Sequence, residues 1–132
     1  MPTFSNRSKA RLETCDARLQ DILEEAIKSV DFTILCGHRT EEEQEEAYRL
    51  KRSTKRWPHS KHNTLPSVAV DIAPYPVDWN DLARFARLVG YIERIAEQKN
   101  VRIRWGGDWD QDGRTADERF IDGPHIEIME DI

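Results

Sequence analysis

The chain has 132 residues, a length that fits one domain and can bury a core of its own. Hydrophobic residues make up 38% and charged residues 34%, the balance of a folded globular chain and not of a disordered one. A net charge of -5 argues against nucleic acid as the main partner, because phosphate binding needs a basic surface, and no apolar run approaches the roughly 20 residues of a membrane span.

The first residues, Met1-Pro2-Thr3-Phe4-Ser5-Asn6-Arg7, lack the apolar stretch of a secretory signal, so the expected location is the cytoplasm of the producing cell. Leu12, Cys15, Leu19, Ile22, Leu23, Ala26, Ile27 and Val30 recur at helical spacing and predict one amphipathic helix over 8–30. Phe32, Ile34 and Cys36 alternate with Thr33 and Leu35 up to Gly37, a short strand. Cys15 and Cys36 read as small core residues, since their spacing suggests neither a disulfide framework nor a thiolate zinc site. Thr40 with Glu43 is a capping-box pattern that opens a second helix, through about Leu50.

From Lys51 to Ser67 the periodicity is lost, and Pro58 and Pro66 mark a loop. Its basic stretch, Lys51-Arg52-Ser53-Thr54-Lys55-Arg56, reads equally as a surface that steers an anionic polymer or as a solvated loop. Val68 to Ile72 predicts a strand, and residues 80–98 a third helix with Leu82, Phe85, Val89, Ile92 and Ile95 buried. A strand over 101–105, a polar loop over 106–123 and a strand from His125 to Met129 complete the chain. Alternation in the last strand sets His125 and Glu127 on one face, Ile126 and Ile128 on the other. Helices beside a small antiparallel sheet make a single α+β domain over 1–132.

Two of the four histidines stand where strands meet loops, beside carboxylates: His62 nine residues before Asp71, and His125 between Asp122 and Glu127. Two neutral imidazoles and a carboxylate give zinc three ligands and leave a fourth position for water. Zinc lowers the pKa of that water to about 7, and a nearby carboxylate, Asp122 or Glu127, then has to move its proton. Spacing alone leaves the bland readings open. His62 fits an exposed loop imidazole equally well, and Asp71 a strand-end cap.

Ser60-Lys61-His62, then Ala69-Val70-Asp71, then Trp105-Gly106-Gly107-Asp108-Trp109, then Asp122-Gly123-Pro124-His125-Ile126-Glu127 form an ordered set. In it the chain resembles the D-alanyl-D-alanine carboxypeptidase family of metallopeptidases, and within that family the L-alanyl-D-glutamate peptidases of the phage endolysin type. The resemblance runs over about 32–129. It implies a hedgehog/DD-peptidase-like fold, a zinc ion on His62, Asp71 and His125, Asp122 as general base, and Arg39 as the group that polarises the scissile carbonyl. It also implies a peptidoglycan stem peptide as substrate and action on the cell wall after release. The spacing from His62 to Asp71 is longer than is commonest in the family, so residues 63–67 are expected to bulge outward.

Other residues carry two readings each. Arg39 polarises the carbonyl or pairs with Glu41, Glu42 or Glu43 on the surface; Ser60 binds substrate or caps its loop; Trp109 and Trp105 line the groove, or at least one is core. Glu127 is read as a partner orienting an imidazole, and His59, with His38, as a spare ligand. Asp108, Asp110 and Asp112 match the front half of a calcium loop, although Arg119 stands where its closing glutamate belongs; the alternative is a solvated acidic turn. The rival functions are a D,D-carboxypeptidase or dipeptidase of the same family and a non-catalytic zinc-stabilised peptide-binding module. A monomer is expected.

Overall fold

The computed structural model describes residues 2–130. The segment predicted as one helix forms two, α1 (Asn6–Leu12) and α2 (Ala17–Ile27). Asp16 makes the break, since its carboxylate accepts the Arg18 backbone N–H and so caps α2. Cys15 forms a bridge with Ser67: the Ser67 amide donates to the Thr14 carbonyl (2.9 Å) and the Asp16 amide donates to the Ser67 carbonyl (2.8 Å). A continuous helix would have kept those groups in its own ladder, so a tertiary contact overrides the local periodicity.

Then follow β1 (Phe32–Cys36), α3 (Glu41–Arg49), β2 (Ala69–Pro74), α4 (Leu82–Gln98), β3 (Ile103–Gly106) and β4 (Asp122–Ile128). The Thr40–Glu43 capping box opens α3 as its sequence predicts. One 3-10 turn, Lys61–Asn63, lies inside the segment read as loop, and β4 begins at Asp122 instead of His125. Of residues 63–67, expected to bulge outward, only Thr64, Leu65 and Pro66 stand exposed, while Asn63 and Ser67 are buried.

The strands run in the order β1-β2-β4-β3, all antiparallel, which is the α+β arrangement expected. Val70, Ile72, Ile103, Ile126 and Ile128 are buried on one face. Against that face α4 lies across β2, β3 and β4, and α2 packs on α4. The buried stripe of α4 is Phe85, Leu88, Val89, Ile92, Ile95 and Ala96, a helical repeat with one side turned to the sheet.

The two-residue period of a strand sends the alternate residues to the other face. There Asp71 pairs in register with His125, and Arg104 with Glu127. Two irregularities lie beside these pairs, one between Ile34 and Cys36 and one between Trp105 and Gly106. The first brings Cys36 opposite Asp71; the second brings Gly106 opposite Asp122. A Cβ at Gly106 would collide with the Asp122 carbonyl, so only glycine lets β3 approach the start of β4 this closely. Among the described residues no helix is long and apolar enough to cross a membrane.

Candidate metal centre

Asp71 sits in the middle of the open face. One of its oxygens, Oδ1, lies 3.3 Å from His62 Nε2 and 3.3 Å from His125 Nδ1. The same strand register that pairs Asp71 with His125 supplies two of these three groups. His62 arrives from the 3-10 turn, which Ser60 caps by accepting the His62 amide (3.2 Å), while the Arg39 amide donates to the His62 carbonyl (2.8 Å).

The far nitrogen of each imidazole faces an acceptor. His62 Nδ1 is 2.8 Å from the Gly37 carbonyl, and His125 Nε2 is 2.9 Å from Glu127 Oε1. Those partners hold the ring protons on the outer nitrogens and leave both inner lone pairs aimed at Asp71. Position 37 has room only for glycine, because a Cβ there would collide with Thr14 Oγ1 and the Arg11 carbonyl. His62 Nε2 and Asp71 Oδ1 are buried and have no hydrogen-bond partner, since the 3.3 Å approaches lack the geometry of one. Buried acceptors left so are costly, and a cation among them would satisfy all three groups at once. The donor set of two imidazoles and a carboxylate fits a divalent metal such as zinc.

Electrostatics agrees with that fit. Burial pulls the His62 pKa down, but Asp71 and Cys36 outweigh it and raise the group to about 10. His125 is raised likewise, against burial, by Asp71 and Glu127. Asp71, despite burial, is held well below the usual carboxylate range by the two imidazoles. Without a metal these shifts favour protons on the inner nitrogens, so the cluster attracts positive charge, and a metal cation would take those protons' place. Asp122 behaves in the opposite way: burial pushes its carboxyl up, and the Asp71 charge adds to the push. Its carboxylate reaches Asp71 and His125, all three offering ligand atoms within 4.8 Å of one another, and a second such group is Cys36, His62 and Asp71.

These residues line a cleft of about 800 Å³. Arg39 does not reach for the surface glutamates; it donates to Asp71 Oδ2 (3.5 Å) and to the fully buried Gln44 (3.0 Å). Asn63 ties the same network, donating to Gln44 Oε1 (3.2 Å) and to the Arg39 carbonyl (3.1 Å). Ser60 lines the cleft as well as capping its turn. Trp109 lies over His125 with ring centroids 5.5 Å apart, whereas Trp105 is in the core with its indole donating to the Gly123 carbonyl (2.7 Å). His59 is exposed and His38 bonds the Thr64 carbonyl, so neither joins the cluster.

Four further residues join the site, Lys61 and Arg104 in the cleft and Cys36 and Gln44 beside it. Cys36 stands 3.9 Å from His62 Nδ1, Gln44 holds Arg39, and Lys61 and Arg104 both bind Glu127. Alternation does mark Arg104, a charged residue between the buried Ile103 and Trp105; nothing in the sequence marks Gln44 or Lys61. In the acidic loop, Asp108, Asp110 and Asp112 gather their carboxylates within 4.8 Å of one another, as do Asp110, Asp117 and Glu118. The nearby Asp112 carboxyl, with some burial, pushes Asp117 up to about 6.

The chain is 31% identical to the L-alanyl-D-glutamate peptidase of Escherichia phage T5, over 96% of its own length and 97% of the relative's. It is 30% identical to the peptidoglycan L-alanyl-D-glutamate endopeptidase CwlK of Bacillus subtilis (strain 168), over 79% of this chain and 64% of that one. The crystal structure of the Serratia marcescens L-Ala D-Glu endopeptidase ChiX superposes with a TM-score of 0.75 at 25% identity, covering 96% of this chain and 90% of ChiX. The family model for phage L-alanyl-D-glutamate peptidases matches residues 2–129, and the chain belongs to that family.

Proposed function

We propose that this chain is a metal-dependent peptidase that hydrolyses the L-alanyl-D-glutamate bond of the peptidoglycan stem peptide. The observation that carries the reading is the pair of buried, unpartnered acceptors, His62 Nε2 and Asp71 Oδ1, converging with His125 beside a carboxylate of raised pKa. His62, Asp71 and His125 would hold the metal, with zinc the first candidate. Bound there, a divalent metal supplies a Lewis acid and a water whose pKa falls to about 7.

The remaining work falls to the chain's own groups. Asp122 takes the proton of the attacking water and returns it to the departing amine, a role that a carboxyl of raised pKa suits at neutral pH. Arg39, fixed by Gln44, steadies the oxyanion as the carbonyl becomes tetrahedral. Glu127 keeps the His125 ring in the tautomer that presents Nδ1 to the centre. Ser60 and Trp109 meet the substrate along the cleft. Action would be on the wall, after release from the producing cell, by a monomer.

The proposal extends to calcium as a second cation on Asp108, Asp110 and Asp112, supported by the crowding of those carboxylates. Restoring activity to chelated protein with zinc alone, and then with calcium added, separates the two ions.

The decisive experiment is digestion of purified peptidoglycan by wild type and by Asp122→Ala at measured zinc content, with mass spectrometry of the fragments. New N-terminal D-glutamyl ends from wild type only, with zinc in both proteins, is the expected result. Release of terminal D-alanine would make the chain a carboxypeptidase. A folded, zinc-loaded wild type that cuts no stem peptide would leave a binding module.

A further inference from the structure

Beyond the metal cluster, the cleft holds a charge imbalance that hydrolysis does not use. The whole chain is net -5, yet the residues lining the cleft include five permanent cations, Arg39, Arg52, Lys55, Lys61 and Arg104, against the three carboxylates of Asp71, Asp122 and Glu127. The excess is sharpest at Glu127. Its Oε2 takes both Lys61 Nζ (2.9 Å) and Arg104 Nη2 (2.9 Å), while Oε1 takes His125. One buried carboxylate thus faces two full positive charges, and both cationic side chains remain partly open to the cleft, at 38% and 31% exposure.

Arg104 is also short of acceptors. Among the described residues its guanidinium makes one hydrogen bond, to Glu127, and its Nε is buried with none. Its Cζ lies over the Trp109 ring, 5.3 Å from the centroid, which holds the group beside the His125–Glu127 pair. A guanidinium fixed in this way, with donors to spare and an ammonium next to it, is built to take a second carboxylate.

The proposed substrate has one in the right place. In the stem peptide D-glutamate continues the chain through its γ-carboxyl, so its α-carboxyl is a free acid or, in some walls, an amide. That group hangs on the carbon that carries the scissile nitrogen, so it must lie close to the metal centre during cleavage. Arg39, held by Asp71 and Gln44, serves the oxyanion, and Lys61 and Arg104 are the further cations at the cluster, joined to His125 through Glu127. We infer that Lys61 and Arg104 form a carboxylate pocket that selects stem peptides bearing the free α-carboxylate of D-glutamate over their α-amidated counterparts. This inference rests on the peptidase reading above and narrows its substrate class.

The test uses two synthetic stem peptides that differ only in that group, D-glutamate or D-isoglutamine, with kcat and KM measured on zinc-loaded protein. Wild type is expected to favour the acid by about 10- to 100-fold in kcat/KM, the range for a hydrogen bond to a charged group. In Arg104→Gln and in Lys61→Gln that ratio should shrink, chiefly through a higher KM for the acid, and Arg104→Lys should keep part of it. Binding of the two peptides to zinc-loaded Asp122→Asn, followed by calorimetry, should show the same preference without turnover. Equal cleavage and equal binding of the two peptides by wild type would overturn the pocket and leave the peptidase standing. An unchanged ratio in Arg104→Gln and Lys61→Gln, with both peptides slowed alike and zinc content reduced, would overturn it too, because those residues would then act only through Glu127 and His125. Cleavage of neither peptide by wild type would overturn the peptidase reading and the pocket with it.

Discussion

The two faces of the sheet are made from alternate residues of the same strands, yet they are organised by different physics. On the helix-covered face Val70, Ile72, Ile126 and Ile128 are at most 1% exposed, and the aliphatic contacts they make are set by volume more than by direction. On the cleft face the neighbouring positions are Asp71, His125, Glu127 and Arg104, all ionisable, and His62 and Glu127 are at most 4% exposed. Buried charge of that kind is a burden on stability unless every group is paired, and two acceptors here are not. A strand's two-residue period lets one backbone carry both: one side holds the domain together while the other keeps a strained set of charges in a fixed geometry.

That division is open to attack from either side. The largest effect expected is on chemistry: Asp122→Asn should slow peptide hydrolysis by about 10³-fold while the melting temperature stays level or rises. A large fall in melting temperature alongside the lost activity would show that the faces are not separable. Ile126→Ala, one residue from His125 but on the other face, should cost about 3 kcal/mol in denaturant unfolding and leave the turnover of folded molecules nearly unchanged.

Two carboxylates of the cleft sharpen the comparison, because their pH signatures run in opposite directions in chelator-treated protein. Glu127 is lowered from 4.5 to about 2, against burial, by His125 and Lys61. Its stabilisation is therefore complete above 4.5 and lost as pH falls toward 2. Glu127→Gln should be less stable by about 2 kcal/mol at neutral pH, with the gap closing across that acid window. Asp122 is raised from 3.8 by burial and by Asp71, so its penalty is absent below that value and grows as pH climbs through the raised one. The stability gain of Asp122→Asn should grow over the same climb, as thermal melts across pH will show. The smallest effect is Ser60→Ala, expected to cost about 1 kcal/mol through loss of the turn's cap; a rise in KM beyond that would mean that the hydroxyl also touches substrate.

Much of the fold could be read from residue order because its signals are local. The α3 capping box and the stripe of α4 lie in single segments, and strand alternation separates His125 and Glu127 from Ile126 and Ile128. What escaped depends on partners far along the chain. The helix break at Cys15 and Asp16 answers Ser67. Cys36 reads as core by alternation with Ile34, but the irregularity between them turns it to the row of Asp71, and a slip of one residue changes the face. For the site, the ordered motifs led to His62, Asp71, Asp122 and His125, which the fold brings together. Gln44, fully buried in α3, acts by holding Arg39, and Lys61 acts by pairing with Glu127, and no spacing announces either role.

The sheet order has a consequence for how the protein comes into being. β4 follows β3 in the chain but lies between β2 and β3 in the sheet. A nascent polypeptide that has emerged only through β3 holds His62 and Asp71, but it lacks His125 and leaves β3 without a neighbour to pair with. Domains fold as units as translation proceeds, so β4, made after β3, both closes the sheet and completes the centre. A product that stops before His125 holds only His62 and Asp71 of the three groups, so one strand decides both the closing of the sheet and the completeness of the centre.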